Sequence, residues 1–168
     1  MILFFVDCEA VGGCPSVGNL TEFGIAVHPT RATFHGVLIP SRPDPKEPAK
    51  PLPLVPAIPG ILPSVAKKVA MDADAFIVRE AKGGRAIMVS DNPAYDWSWV
   101  ADLFWRTLGY NPFGHSARRI SDFYAGLTGD WSNTQKWKQL RITPHDHNPV
   151  HDSLGNLEAF DRIMRGER

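Results

Sequence analysis

The hydrophobic pattern opens with a run from Ile2 to Val6 that is closed by Asp7 and Glu9, with Cys8 between them. Ile, Val and Phe favour a buried strand, and the two-residue period of a strand sets Asp7 and Glu9 on one face. A glycine-rich turn, Val11 to Asn19, follows. Thr21 to His28 and Ala32 to Pro40 then predict two strands joined across His28-Pro29-Thr30-Arg31 as an antiparallel hairpin. From Ile61 to Lys82, Leu62, Val65, Val69, Ala73, Phe76 and Ile77 recur at helical spacing up to Gly83 and Gly84, with Asp72 or Asp74 as a point where a second helix would be capped. Arg85 to Ser90 is a fourth short strand, ending at Asp91. The helix expected after it, about Pro93 to Leu108, would turn Trp97, Val100, Phe104 and Trp105 to the core. Ala117 to Ser121 reads as a last strand. Helical pattern resumes over Asp122 to Leu127 and Trp131 to Leu140, and Trp131 and Trp137 are assigned to the core rather than to stacking on bases. Pro149 to Arg165 closes the chain as an amphipathic helix carrying Val150, Leu154, Leu157, Phe160 and Ile163 on one side.

Composition narrows the class. With 168 residues, 43% hydrophobic and 21% charged, the chain fits a single soluble globular domain, and the strands and helices just read make it an α/β one. Nine of its 15 prolines fall between Pro40 and Pro63, which excludes a sheet interior or a continuous helix there. That stretch, about 40–63, is expected as a surface loop, either a plain connector or a docking segment with P-x-x-P spacings. Two cysteines, Cys8 and Cys14, are too few for a disulfide framework and lack zinc spacing, and Cys8 reads as buried filler. No window suits a membrane span and Met1 to Val6 lacks the basic lead of a signal peptide, so a cytoplasmic location without membrane association is expected. Eighteen basic residues balance 18 acidic ones, which argues against a partner held through many phosphates.

The chemistry begins with the paired acids. Asp7 and Glu9 on one strand face would repel unless one took a proton or a cation lay between them, and carboxylate oxygens suit magnesium or manganese. The plainer alternative has Glu9 in water and Asp7 capping a turn. A second pattern occurs twice: Asn92-Pro93-Ala94-Tyr95-Asp96 and Asn148-Pro149-Val150-His151-Asp152 both read N-P-x-x-D. Asn suits an N-cap and Pro the first helical position, so Asp96 and Asp152 each sit about one turn inside a helix, where the helix dipole favours a charged carboxylate. Helix starts attract Asp without any metal as well. Pro149 keeps His147 out of the helix, on the approach loop, where an imidazole is well placed to accept a proton from water.

Taken together, D-x-E ending the first strand, N-x-x-Y-D after the fourth and H-x-x-x-x-D at the last helix resemble the DEDDh branch of the DnaQ-like 3'-5' exonucleases. The likeness runs from Ile2 to Ile163, and Ser90 to Trp97 looks most like the small bacterial and phage exoribonucleases of that group. The resemblance implies an RNase H-like fold, a central mixed five-stranded sheet flanked by helices with the first three strands antiparallel. It also implies metal-binding roles for Asp7, Glu9, Asp96 and Asp152 around two Mg2+ or Mn2+ ions, with His147 as general base. Asp91, His145 and His151 do not match the family positions. Ala10 stands where many relatives have Thr, and with Asn92 and Tyr95 it is a candidate substrate contact. The function so implied is a 3'-5' exoribonuclease that releases nucleoside 5'-monophosphates from single-stranded ends. The alternatives are a DNA exonuclease of proofreading type and a non-catalytic nucleic-acid or polymerase-binding module; a homodimer is left open.

Overall fold

The computed structural model describes residues 1–38 and 63–167. Its order is β1 (Ile2–Val11), β2 (Asn19–His28), β3 (Thr33–Val37), α1 (Pro63–Ala81), β4 (Ala86–Ser90), α2 (Pro93–Leu108), β5 (Ala117–Arg119), α3 (Ile120–Thr128), a short 3-10 helix (Lys136–Leu140) and α4 (Pro149–Met164). Among the described residues the strands form one five-stranded sheet in the order β3-β2-β1-β4-β5. β1, β2 and β3 pair antiparallel, whereas β4 runs parallel to β1 and β5 parallel to β4. This is the mixed α/β sheet that the resemblance implies.

Alternation along β1 feeds two cores. Phe4, Val6 and Cys8 join the cluster that includes Phe76 of α1 and Val100 and Phe104 of α2. Phe5 faces the other way, into a cluster with Ile120, Trp137, Leu157 and Ile163. Asp7 and Glu9 share the parity of Phe5, so the β1 carboxylates stand on the α4 side of the sheet.

Several element expectations need correction. α1 is one unbroken helix, and neither Asp72 nor Asp74 divides it. In α2 the buried set is Asp96, Trp99, Val100, Ala101, Leu103 and Phe104, while Trp105 is exposed and stacks on His115 at 6.2 Å. At 100° per residue Trp105 lies about 140° from Val100, outside the core arc. Of the segment 131–140 only Lys136–Leu140 is helical, as a 3-10 turn; Trp137 is fully buried but Trp131 is 79% exposed, against its expected core position. The proline-rich stretch lies outside the described residues except for Pro63, the first residue of α1.

Candidate active site

The site forms where the end of β1 meets the first turn of α4. Asp7 pairs in register with Gly24 of β2, and α4 lies directly over that glycine. A Cβ at Gly24 would come 2.2 Å from the Pro149 carbonyl and 2.4 Å from Val150 N, so the strand and the helix start are in backbone contact. Ser153 Oγ donates to Gly24 O at 3.0 Å and ties the same two elements together. Asn148 caps α4 by accepting hydrogen bonds from Val150 N and His151 N. Asp152, one turn in, is thereby brought down onto the β1 carboxylates.

Among the described residues, Asp7, Glu9 and Asp152 form the one group of potential ligands whose oxygens all lie within 4.8 Å of one another. Asp152 is 1% exposed, and neither of its oxygens is met by a hydrogen bond of proper direction. A buried carboxylate that faces two further carboxylates, with only the His145 imidazole approaching one of its oxygens, fits a hard divalent cation. Electrostatics agrees. Burial, reinforced by the charges of Asp96, Asp152 and Glu9, pushes the Asp7 carboxyl well above its usual range, and Arg141 opposes the rise.

Asp96 stands beside this group, not within it. Its Oδ1 accepts from Cys8 Sγ at 3.4 Å and its Oδ2 from Ser90 Oγ. Burial raises its pKa to about 6, against the pull of the Ser90 and Cys8 hydrogen bonds. Cys8 is buried as expected, and it also orients an acid. Asp91 faces elsewhere, with Lys138 Nζ 2.6 Å from Oδ2 and Ser121 donating to Oδ1 at 3.0 Å. Asn92 does not cap α2 through its side chain; its backbone carbonyl accepts from Tyr95 N and Asp96 N instead. Tyr95 meets Trp99 edge-on at 5.9 Å, and its pKa is pushed up to about 12, first by burial and then by nearby Cys8, Glu9 and Asp96. Ala10 sits at the β1–β2 register shift, where Thr21 Oγ1 donates to Glu9 O at 2.9 Å.

Two imidazoles flank the acids. His147, at positive φ (61°) before α4, places Nδ1 3.6 Å from Glu9 Oε1 and is 54% exposed at the side chain. His145 Nδ1 lies 2.8 Å from Asp152 Oδ1, and the two rings are 4.5 Å apart. Sequence offset set His145 aside, yet the loop returns it to the cluster. The available signal was the H-x-H pair on a non-helical approach, where alternate residues reach the same side.

No family model matches the chain. Among curated proteins it is similar to the 3'-5' DNA exonuclease Cap18 of Escherichia coli, 32% identical over 82 residues, which are 46% of this chain and 44% of that protein. Among solved structures, E. coli Exonuclease I in complex with a 5cy-dT13 oligonucleotide matches 98% of this chain and 40% of its own, at TM-score 0.58 and 12% identity. The zinc-bound form of the E. coli ExoI–ssDNA complex matches 98% of this chain and 39% of its own, at TM-score 0.54 and 11% identity. The chain thus spans less than half the length of each relative. Sheet order, flanking helices and these likenesses agree: the chain has the RNase H-like fold that the similar Exonuclease I structures share.

Proposed function

We propose that the chain is a divalent-metal-dependent 3'-5' exonuclease that hydrolyses single-stranded nucleic acid and releases nucleoside 5'-monophosphates. The observation that carries this reading is the meeting of Asp7, Glu9 and Asp152, from β1 and α4, within 4.8 Å. Asp7, Glu9 and Asp152 would hold magnesium or manganese, with Asp96 serving a second ion. Because its oxygens are engaged by Cys8 and Ser90, Asp96 would act through water. Bound divalent ions supply positive charge against the charge developing on the phosphate and make an attacking water more acidic. His147, exposed at the rim beside Glu9, accepts the proton of that water as its oxygen bonds to phosphorus. The P–O3' bond breaks and the leaving oxygen takes a proton from solvent, which leaves a 3' hydroxyl on the shortened strand and a 5'-phosphate on the departing nucleoside.

DNA is the favoured substrate, because the curated relative is named a DNA exonuclease and the similar Exonuclease I structures hold DNA strands. RNA is the second reading, supported by the resemblance of Ser90 to Trp97 to small exoribonucleases. Matched 5'-labelled DNA and RNA oligonucleotides with Mn2+ test both. The wild-type protein should shorten strands from the 3' end, and Asp7→Ala and His147→Ala should each lower kcat by about 100-fold or more. Equal turnover by all three proteins would overturn the assignment, and oligonucleotide binding without turnover would favour the non-catalytic module.

A further inference from the structure

One cation beside the acidic centre has no part in the scheme above. Asp152 and Asn156 are four residues apart on α4, so they lie on one helix face, a turn apart. Asn156 is fully buried, and its Oδ1 accepts a 2.5 Å hydrogen bond from Arg141 Nη2. The guanidinium carbon sits 5.1 Å from the centre of the Trp137 ring. That ring is itself fixed, because Trp137 Nε1 donates to Ser121 Oγ at 3.1 Å and to Thr134 O at 2.9 Å. The Arg141 stem crosses α4 at Gly155, where a Cβ would come 3.2 Å from Arg141 Cδ and 2.8 Å from Thr143 O. A mid-helix glycine is unfavourable relative to alanine, and here its bare surface is what lets the arginine lie flat.

The partners of this arginine are neutral. Arg31, Arg79, Arg106, Arg119, Arg162 and Arg165 each reach a carboxylate. Among the described residues no acid lies within ion-pair distance of Arg141, its Nε is buried without a hydrogen-bond partner, and Nη1 donates to no described group. A planar, weakly hydrated cation fixed by an amide and an indole face keeps its charge for an anion that arrives later.

We propose that Arg141, oriented by Asn156 and Trp137, binds a backbone phosphate of the strand whose 3' end lies at the Asp7, Glu9 and Asp152 cluster. The inference deepens the exonuclease reading and rests on it. A contact of this kind leaves a signature in salt dependence, because one phosphate neutralised on a single strand contributes about 0.7 to the slope of log affinity against log salt.

The test is steady-state hydrolysis of a single-stranded oligonucleotide with Mn2+ over a range of salt, for wild type, Arg141→Gln and Arg141→Lys, with melting curves alongside. Arg141→Gln should lower kcat/KM at least 10-fold, mainly through KM, and flatten the slope by about 0.7. Arg141→Lys keeps the charge but not the fork, so it should keep the slope and lose part of kcat/KM. Wild-type KM and slope in Arg141→Gln would overturn the proposal, whatever happens to the melting temperature. If that variant does not fold, undiminished kcat/KM in Arg141→Lys would overturn it. Wild type inactive on both DNA and RNA would count against the exonuclease reading itself. Oligonucleotide affinity would then decide the phosphate contact: loss in Arg141→Gln supports it, and equal affinity defeats it.

Discussion

Crowded carboxylates repel one another when no cation lies between them, in a way that pH can reveal. Asp7 and Asp96 both titrate above the ordinary carboxylate range when folded, Asp96 at about 6, with burial the first cause for each. Between about 4, where such groups titrate in the unfolded chain, and 6, the native protein therefore holds more protons than the unfolded one, and its stability falls as pH rises. Asp130, Asp146 and Glu167 are shifted the other way by hydrogen bonds, but they lie at the surface and act in a lower window. In EDTA the melting temperature should thus drop between pH 4.5 and 7, by an amount equivalent to a few kcal/mol. Mn2+ at pH 7 should restore it, since an ion that binds only the native state stabilises by mass action. Asp7→Asn should remove much of the drop while abolishing activity, and a melting temperature that rises with pH in EDTA would contradict this account. At this scale the strand period was enough to put Asp7 and Glu9 on one face, and helix-start chemistry to put Asp152 one turn into α4. His145 and Arg141 were not legible, because their contacts depend on how an irregular loop folds back over α4.

Between elements, the decisive contact is the seating of α4 on β2. Gly24 is opposite Asp7 in the sheet and beneath Pro149 in space, so the closeness of β2 and α4 sets the distance between Asp7 and Asp152. Gly24→Ala should push the helix start outward and cost about 1–3 kcal/mol or more, as overpacking does. Urea unfolding should show the lower midpoint, and titration with Mn2+ should show weakened binding even where the variant remains folded. A variant with wild-type midpoint and Mn2+ affinity would mean that α4 is not held by this contact. Periodicity located the strands and helices because burial on one side enforces it. It failed where identity stood in for direction: Trp105 was placed by its aromatic character, although the i, i+3, i+4, i+7, i+8 face of α2 runs through Asp96, Trp99, Val100, Leu103 and Phe104. Trp131 lies outside any helix, so the helical period read over 131–140 did not orient it.

For the molecule as a whole, charge limits how substrate is gripped. Equal numbers of acidic and basic residues provide no field to draw in a long polyanion, so under the proposed function recognition would fall to the acidic cluster with its bound cation and a few local cations. Contact with one or two phosphates predicts that kcat/KM changes by less than about 10-fold between roughly 50 and 200 mM salt. A loss of about 1000-fold would instead indicate a long basic track. The pattern paired β2 with β3 as a hairpin, and the family resemblance supplied the mixed sheet with its first three strands antiparallel, since pairing between distant segments leaves no local period in a sequence. Among the described residues no helix is long and apolar enough to cross a membrane.

The thiol that donates to Asp96 has one more consequence. Cys8 is 5% exposed, and burial first, then the acids around it, raise its pKa well above the ordinary thiol value. Cys14, on the turn after β1, has its pKa lowered mainly by its hydrogen bond with Ser16. A slow alkylating reagent should therefore label Cys14 promptly and reach Cys8 only when β1 and α2 part company. Followed by mass spectrometry, the second adduct becomes a stopwatch for transient opening of the floor beneath the acidic cluster, and bound manganese should slow it down.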